Sequence, residues 1–116
     1  MRVIAFQVKE TDIEQYALIS GDVNPIHMDI EAAKRYGYSN RIGHGMLTMA
    51  KIWSAAAQEL KLSGPKPSLI RMKFLAPVYA GDEVQLTLSR ESDILHIKGT
   101  SRGETVVKGS ITLRTP

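Results

Sequence analysis

The 116-residue chain has no cysteine, only two Phe and one Trp beside four Tyr, and no apolar run that approaches membrane-spanning length. Without cysteine there are no disulfides, no thiolate zinc ligands and no cysteine nucleophile, which is compatible with a reducing compartment. The scarcity of aromatics removes the stacking platforms that single-stranded nucleic-acid binders use. Charge of one sign is also scarce: 15 Lys+Arg against 12 Asp+Glu leave a formal +3, spread along the chain without a basic block. No nucleic-acid partner is expected from that pattern, whereas a small anionic ligand suits it. The opening "MRVIAFQVKETD" carries polar and acidic residues where a signal peptide has its apolar core. A cytoplasmic protein with no membrane partner is therefore expected.

With 43% hydrophobic and 23% charged residues, the length fits one domain over 1–116, able to bury a core without metal or disulfide staples. No repeat or domain linker interrupts it; the loop-rich stretch in the second half is "SGPKPS", residues 63–68. A strand is predicted around Val3 to Val8. It is followed by a helix in "TDIEQYALISG", with Thr11 and Glu14 as capping box and Gly21 as stop. A short second helix follows in "DIEAAKRYG", between Asp29 as N-cap and Gly37. The third helix, "GMLTMAKIWSAAAQELKL", is apolar on nearly all sides, which predicts burial and makes core filling the ordinary role of its Met residues. The strand-like runs "SLIRMKFLAP", "DEVQLTLSRE", "ILHIKGTS" and "ETVVKGSITLR" are separated by Gly81-Asp82, Ser92-Asp93 and Arg102-Gly103 turns. Short connections predict antiparallel pairing, so the fold class is α+β with a sheet wrapped on a long central helix. A lone sheet leaves edges and a face to cover, which predicts a homodimer or a higher oligomer.

Chemistry concentrates in "SGDVNPIHMD", residues 20–29, where Asp22 and His27 lie five residues apart across an Asn-Pro step. That spacing is off-face on a helix, and Pro25 obstructs a helix running through it, so an irregular inter-helix loop is predicted. Pro25 restricts Asn24 to extended geometry and Asn24 can bond its own loop, so the two side chains can converge. A carboxylate and an imidazole together can hold a water and move its protons. The competing reading is that Asp and Asn merely stabilise a turn. A second constellation, "RIGHGMLTM", puts Gly43 and Gly45 around His44 before the long helix. Backbone N–H groups there can approach a ligand oxygen and serve as an oxyanion hole, although a glycine before a helix also occurs as a plain hinge.

"SGDVNPIHMD", followed seventeen residues after His27 by "HGM", resembles the MaoC-like dehydratase family with its (R)-specific enoyl-CoA hydratases, and "FLAPVYAGDEV" is similar to that family's later strand signature. The resemblance spans essentially the whole chain. It implies a hot-dog fold, Asp22 and His27 as catalytic dyad, Asn24 as support of the loop and the N–H of Gly45 as oxyanion donor. It also implies reversible syn hydration of a trans-2-enoyl thioester to an (R)-3-hydroxyacyl thioester, with coenzyme A or acyl carrier protein bearing the acyl group and neither cofactor nor metal required. His44 is assigned an orienting or packing role. Met46, Trp53 and Ser54 are candidates for the acyl tunnel, although their place on a buried helix favours core packing for Trp53 and Ser54.

The three histidines share no helical or H-x-H ligand spacing, so no metal site is expected, and His96 falls on a solvent-side or interfacial face of its strand. Arg41, Lys51, Arg71 and Lys73 are candidates for coenzyme A phosphates. Two rival functions use the same fold: an acyl-CoA thioesterase, whose acid would sit along the central helix, and a non-catalytic acyl-carrier-binding subunit. The central helix has no acid before Glu59, and the dyad is intact, which favours hydration.

Overall fold

The computed structural model describes residues 1–61 and 66–114, so residues 63–65 of "SGPKPS" lie outside the described part. Five strands form one antiparallel sheet in the order β1-β3-β4-β5-β2: β1 Arg2–Gln7, β2 Lys66–Phe74, β3 Glu83–Glu91, β4 Ile94–Ser101 and β5 Glu104–Arg114. Alternation dictates which side of each strand is dry. In β4, Leu95, Ile97 and Gly99 face inward while Ile94, His96 and Lys98 face out. The tight turns are made where expected, with positive φ at Ser92 and Arg102 and at Gly81 and Gly103.

Four helices occupy the first half: α1 Glu10–Ser20, α2 Pro25–Met28, α3 Ile30–Arg35 and α4 Gly45–Glu59. The core joins α4 to the inner sheet face, with Leu47, Ile52 and Ala56 against Val84, Leu86, Leu88, Leu95, Val107 and Ile111. Each such Leu or Ile contributes roughly 1.5–3 kcal/mol by leaving water. A sheet wrapped on one long helix is the α+β arrangement that the pattern of apolar residues predicts.

Three local expectations need correction. The cap of α1 is two residues earlier than Thr11–Glu14: Asp12 reaches back so that its Oδ2 accepts the Lys9 N–H at 2.9 Å. Asp12 wins because the same carboxylate also pairs with Lys51 of α4 at 2.9 Å, tying the two helices. The Asp22–His27 stretch is not loop throughout. Pro25 opens the one-turn helix α2, at the one position where its missing N–H is not needed, and the Asn24 side chain caps it by accepting the Ile26 N–H. Finally, α4 is not buried all round: Met46, Ala50 and Ser54 lie on an exposed side, with Met46 61% exposed.

Candidate active site

Gly21, left-handed at φ 77°, ends α1 and turns the chain into Asp22. Three hydrogen bonds then set Asp22. Its N–H donates to Ser20 Oγ (3.1 Å), its Oδ1 accepts the Asn24 N–H (3.2 Å) and its carbonyl accepts from His44 Nε2 (3.0 Å). The remaining oxygen, Oδ2, stands 3.9 Å from His27 Nε2. His27 is buried, on the single turn that Asn24 caps, while Asp22 is half exposed. Convergence therefore comes from a Gly stop, an Asx contact and an Asn-Pro start acting in succession.

The tautomers follow from the acceptors. His27 Nδ1 lies 2.7 Å from the Ile42 carbonyl, which only accepts, so Nδ1 carries the proton and Nε2 of the neutral ring presents a lone pair to the site. His44 Nε2 is likewise the donor, to the Asp22 carbonyl, leaving Nδ1 as a bare acceptor, buried and without a hydrogen-bond partner among the described residues. The two imidazoles stack at 3.8 Å and 24°, and Tyr16 leans on His44 at 4.8 Å. His44 thus braces both members of the pair.

Asp22, His27 and His44 each offer a ligand atom within 4.8 Å of the others, a proximity that sequence spacing hides. Their fit to a metal is poor. Imidazole lone pairs lie in the ring plane, and two nearly parallel rings stacked face to face cannot both aim them at one ion about 2 Å away. What the pair suits is a water. Carboxylate Oδ2 and bare Nε2 are both acceptors, too far apart to bond each other, and a water about 2.8 Å from each would subtend close to a right angle. It could donate one O–H to each and keep a lone pair outward.

The N–H of Gly45, first residue of α4, has no acceptor within the helix and sits at its positive end. A Cβ on Gly45 would lie 3.5 Å from the Phe74 ring, in ordinary contact, so this glycine matters through the open approach it leaves to its N–H. Gly43 has a different reason: its N–H bonds the Val78 carbonyl at 2.7 Å, and a Cβ there would come within 3.3 Å of Val8. A pocket of about 290 Å³ contains Tyr16, Asp22, His27, His44, Met46 and Phe74, with Gly45 in its wall. Gly45 and Phe74 also border a second, apolar pocket of about 410 Å³ that includes Tyr38, Thr48, Leu75 and Pro77.

Of the sequence candidates, Asp22, His27, His44, Gly45 and Met46 come together, with Asn24 behind them. Trp53 and Ser54 do not join them: Trp53 packs against the core, and Ser54 lines a separate groove with Asp12, Tyr16 and Lys51. Phe74 and Tyr16 were not singled out as site residues. Phe74 stood in the quoted strand signature, whereas nothing local to Tyr16 marks it. Arg41 and Lys51 are engaged elsewhere, Arg41 with Glu10 and Glu14 at 3.5 and 3.6 Å and Lys51 with Asp12.

The model of the MaoC like domain matches residues 2–112. An (R)-specific enoyl-CoA hydratase of Rhodospirillum rubrum is 30% identical over 97% of this chain and 83% of its own. The mitochondrial 3-hydroxyacyl-[acyl-carrier-protein] dehydratase of Arabidopsis thaliana is 40% identical over 63% of this chain, a match that spans 43% of that longer protein. Among solved structures, the unliganded R-hydratase PhaJ1 from Pseudomonas aeruginosa superposes with a TM-score of 0.85 at 28% identity, covering 99% of this chain and 79% of that one.

Proposed function

The chain belongs to the MaoC-like domain family, and from that premise we propose that it is a hydro-lyase interconverting trans-2-enoyl and (R)-3-hydroxyacyl thioesters. The observation that carries the reading is the pair of acceptors, Asp22 Oδ2 and His27 Nε2, 3.9 Å apart beside the free N–H of Gly45. The thioester carbonyl binds at Gly45, which places C2 and C3 over the pair. The water held between carboxylate and imidazole adds its oxygen to C3 while one of its protons passes to the pair. Negative charge moves to the thioester oxygen, where the Gly45 N–H and the α4 dipole stabilise it. The pair then returns that proton to C2 on the same face, so water is added whole and the dyad ends as it began. Collapse of the enolate needs no external acid or base, and no step calls on a metal or cofactor.

His44 acts here as a positioning residue, through the Asp22 carbonyl and the His27 ring. A thioesterase reading is disfavoured by α4, whose first acid, Glu59, is its last residue. We infer a homodimer, because Leu18 (84% exposed), Ile19 (85%) and Met46 (61%) leave apolar surface on α1 and α4 that a second copy would cover. No helix is long and apolar enough to cross a membrane among the described residues. The test is direct: purified protein mixed with crotonyl-CoA should lose enoyl absorbance without releasing thiol. Thiol release would mark a thioesterase, and no change in either a binding subunit.

A further inference from the structure

The outer sheet face carries an arrangement that folding alone disfavours. Lys73 of β2 stands directly opposite Lys108 of β5, and Lys108 directly opposite Lys98 of β4, so three ammonium groups form a row across adjacent strands. Like charges directly opposed in a sheet are destabilising. Arg71 lies two residues before Lys73 on the same face, opposite Ser110. All four side chains are exposed, and none joins an ion pair among the described residues, whereas Arg2, Arg41, Lys51 and Arg102 all do. The row also borders a depression. Arg71, Lys73, Lys108 and Ser110 line a groove of about 270 Å³ whose floor is Gly109, where a Cβ would collide with the β2 backbone at Arg71.

We propose that this groove binds the nucleotide end of coenzyme A, its pyrophosphate and ribose phosphate, an inference that rests on the thioester reading above. Three considerations select this occupant. The site is compact: the outer lysines are two strand spacings, roughly 10 Å, apart, which matches one clustered polyanion and not a long acidic surface. It is cationic and hydroxylated without aromatic platforms, which suits phosphates more than stacked bases. It is also near the chemistry. Phe74, whose ring lies over Gly45, directly follows Lys73 on β2 and points to the other face of the sheet. A pantetheine arm, roughly as long as four extended residues or ~14 Å, can run from the Gly45 pocket round the Phe74 end of β2 to the groove.

The experiment compares crotonyl-CoA with crotonyl-pantetheine, which lacks the nucleotide, in wild type, Lys73→Ala/Lys108→Ala and Lys73→Arg/Lys108→Arg. The double alanine variant should lose about tenfold or more in kcat/KM on crotonyl-CoA, through KM. It should match wild type on crotonyl-pantetheine, and the arginine variant should retain the CoA preference. Equal loss on both substrates, or no loss on either, would overturn the proposal. A calorimetric titration with 3′,5′-ADP stands apart from turnover: wild type should bind it and the alanine variant at least tenfold more weakly. If wild type hydrates neither thioester, the functional reading fails and this titration alone decides the groove, equal affinity of the two proteins counting against it.

Discussion

At the scale of single residues, the chemistry turns on which atoms hold protons. Because Ile42 and Asp22 carbonyls fix the tautomers of His27 and His44, the lone pair that faces the carboxylate belongs to His27 Nε2. Replacing either dyad member, Asp22→Asn or His27→Ala, should lower the hydration rate on crotonyl-CoA by about a hundredfold or more, as loss of acid-base groups does. Stopped assays with crotonyl-CoA check this, and near wild-type rates in both would remove the dyad. His44→Ala should cost less, about tenfold in kcat with KM little changed, because it loosens the placement of groups that remain. A loss as large as that of the dyad variants would instead make His44 a proton carrier. The convergence of Asp22 and His27 was legible because the two share one short segment. The brace was only half legible, since the contact of His44 with Asp22 spans 22 residues and leaves no local mark.

At the scale of elements, the site depends on how α1 and α4 are held together. Asp12 does this, capping α1 and pairing with Lys51. Burial would raise its pKa, but the hydrogen bonds from Lys51 and the Lys9 N–H and the nearby positive charges outweigh this, so the carboxyl titrates below its usual range. A depressed carboxylate stabilises the fold at pH above its unfolded value, and that contribution is lost as pH falls through the folded value. Asp12→Asn should therefore destabilise by about 1 kcal/mol near neutrality. The difference should shrink in acid, where wild type is protonated too; urea unfolding at both pH values measures it, and a gap unchanged in acid would contradict it. Strands were readable from alternation and turn residues, which act locally. The α1 cap was misplaced because the choice between a Thr11–Glu14 and a Lys9–Asp12 box depends on Lys51, thirty-nine residues beyond Asp12. The turn of α2 was hidden because Pro25 reads as a breaker until its place at the first helical position is known.

At the scale of the whole molecule, the exposed side of α4 and the C-terminal end of α1 are what the sequence pattern describes least well. The long apolar helix was expected to be covered, and in the single chain its Met46 is not; Leu18 and Ile19 of α1 are exposed as well. The homodimer that would cover them should run in sedimentation at twice the chain mass, and Ile19→Glu should shift it toward monomer; a wild-type protein monomeric at micromolar concentration would contradict this. Sheet order was likewise beyond local reading, since β1 lies beside β3 and β2 beside β5 only through long-range pairing.

These scales meet in one reaction, and the most direct measurement is the fate of crotonyl-CoA with the product's configuration resolved. The expected result is loss of enoyl absorbance with no free thiol, and a 3-hydroxybutyryl-CoA that an (R)-specific dehydrogenase oxidises while an (S)-specific one does not. Thiol release, an (S) product, or hydration that persists in Asp22→Asn would contradict it.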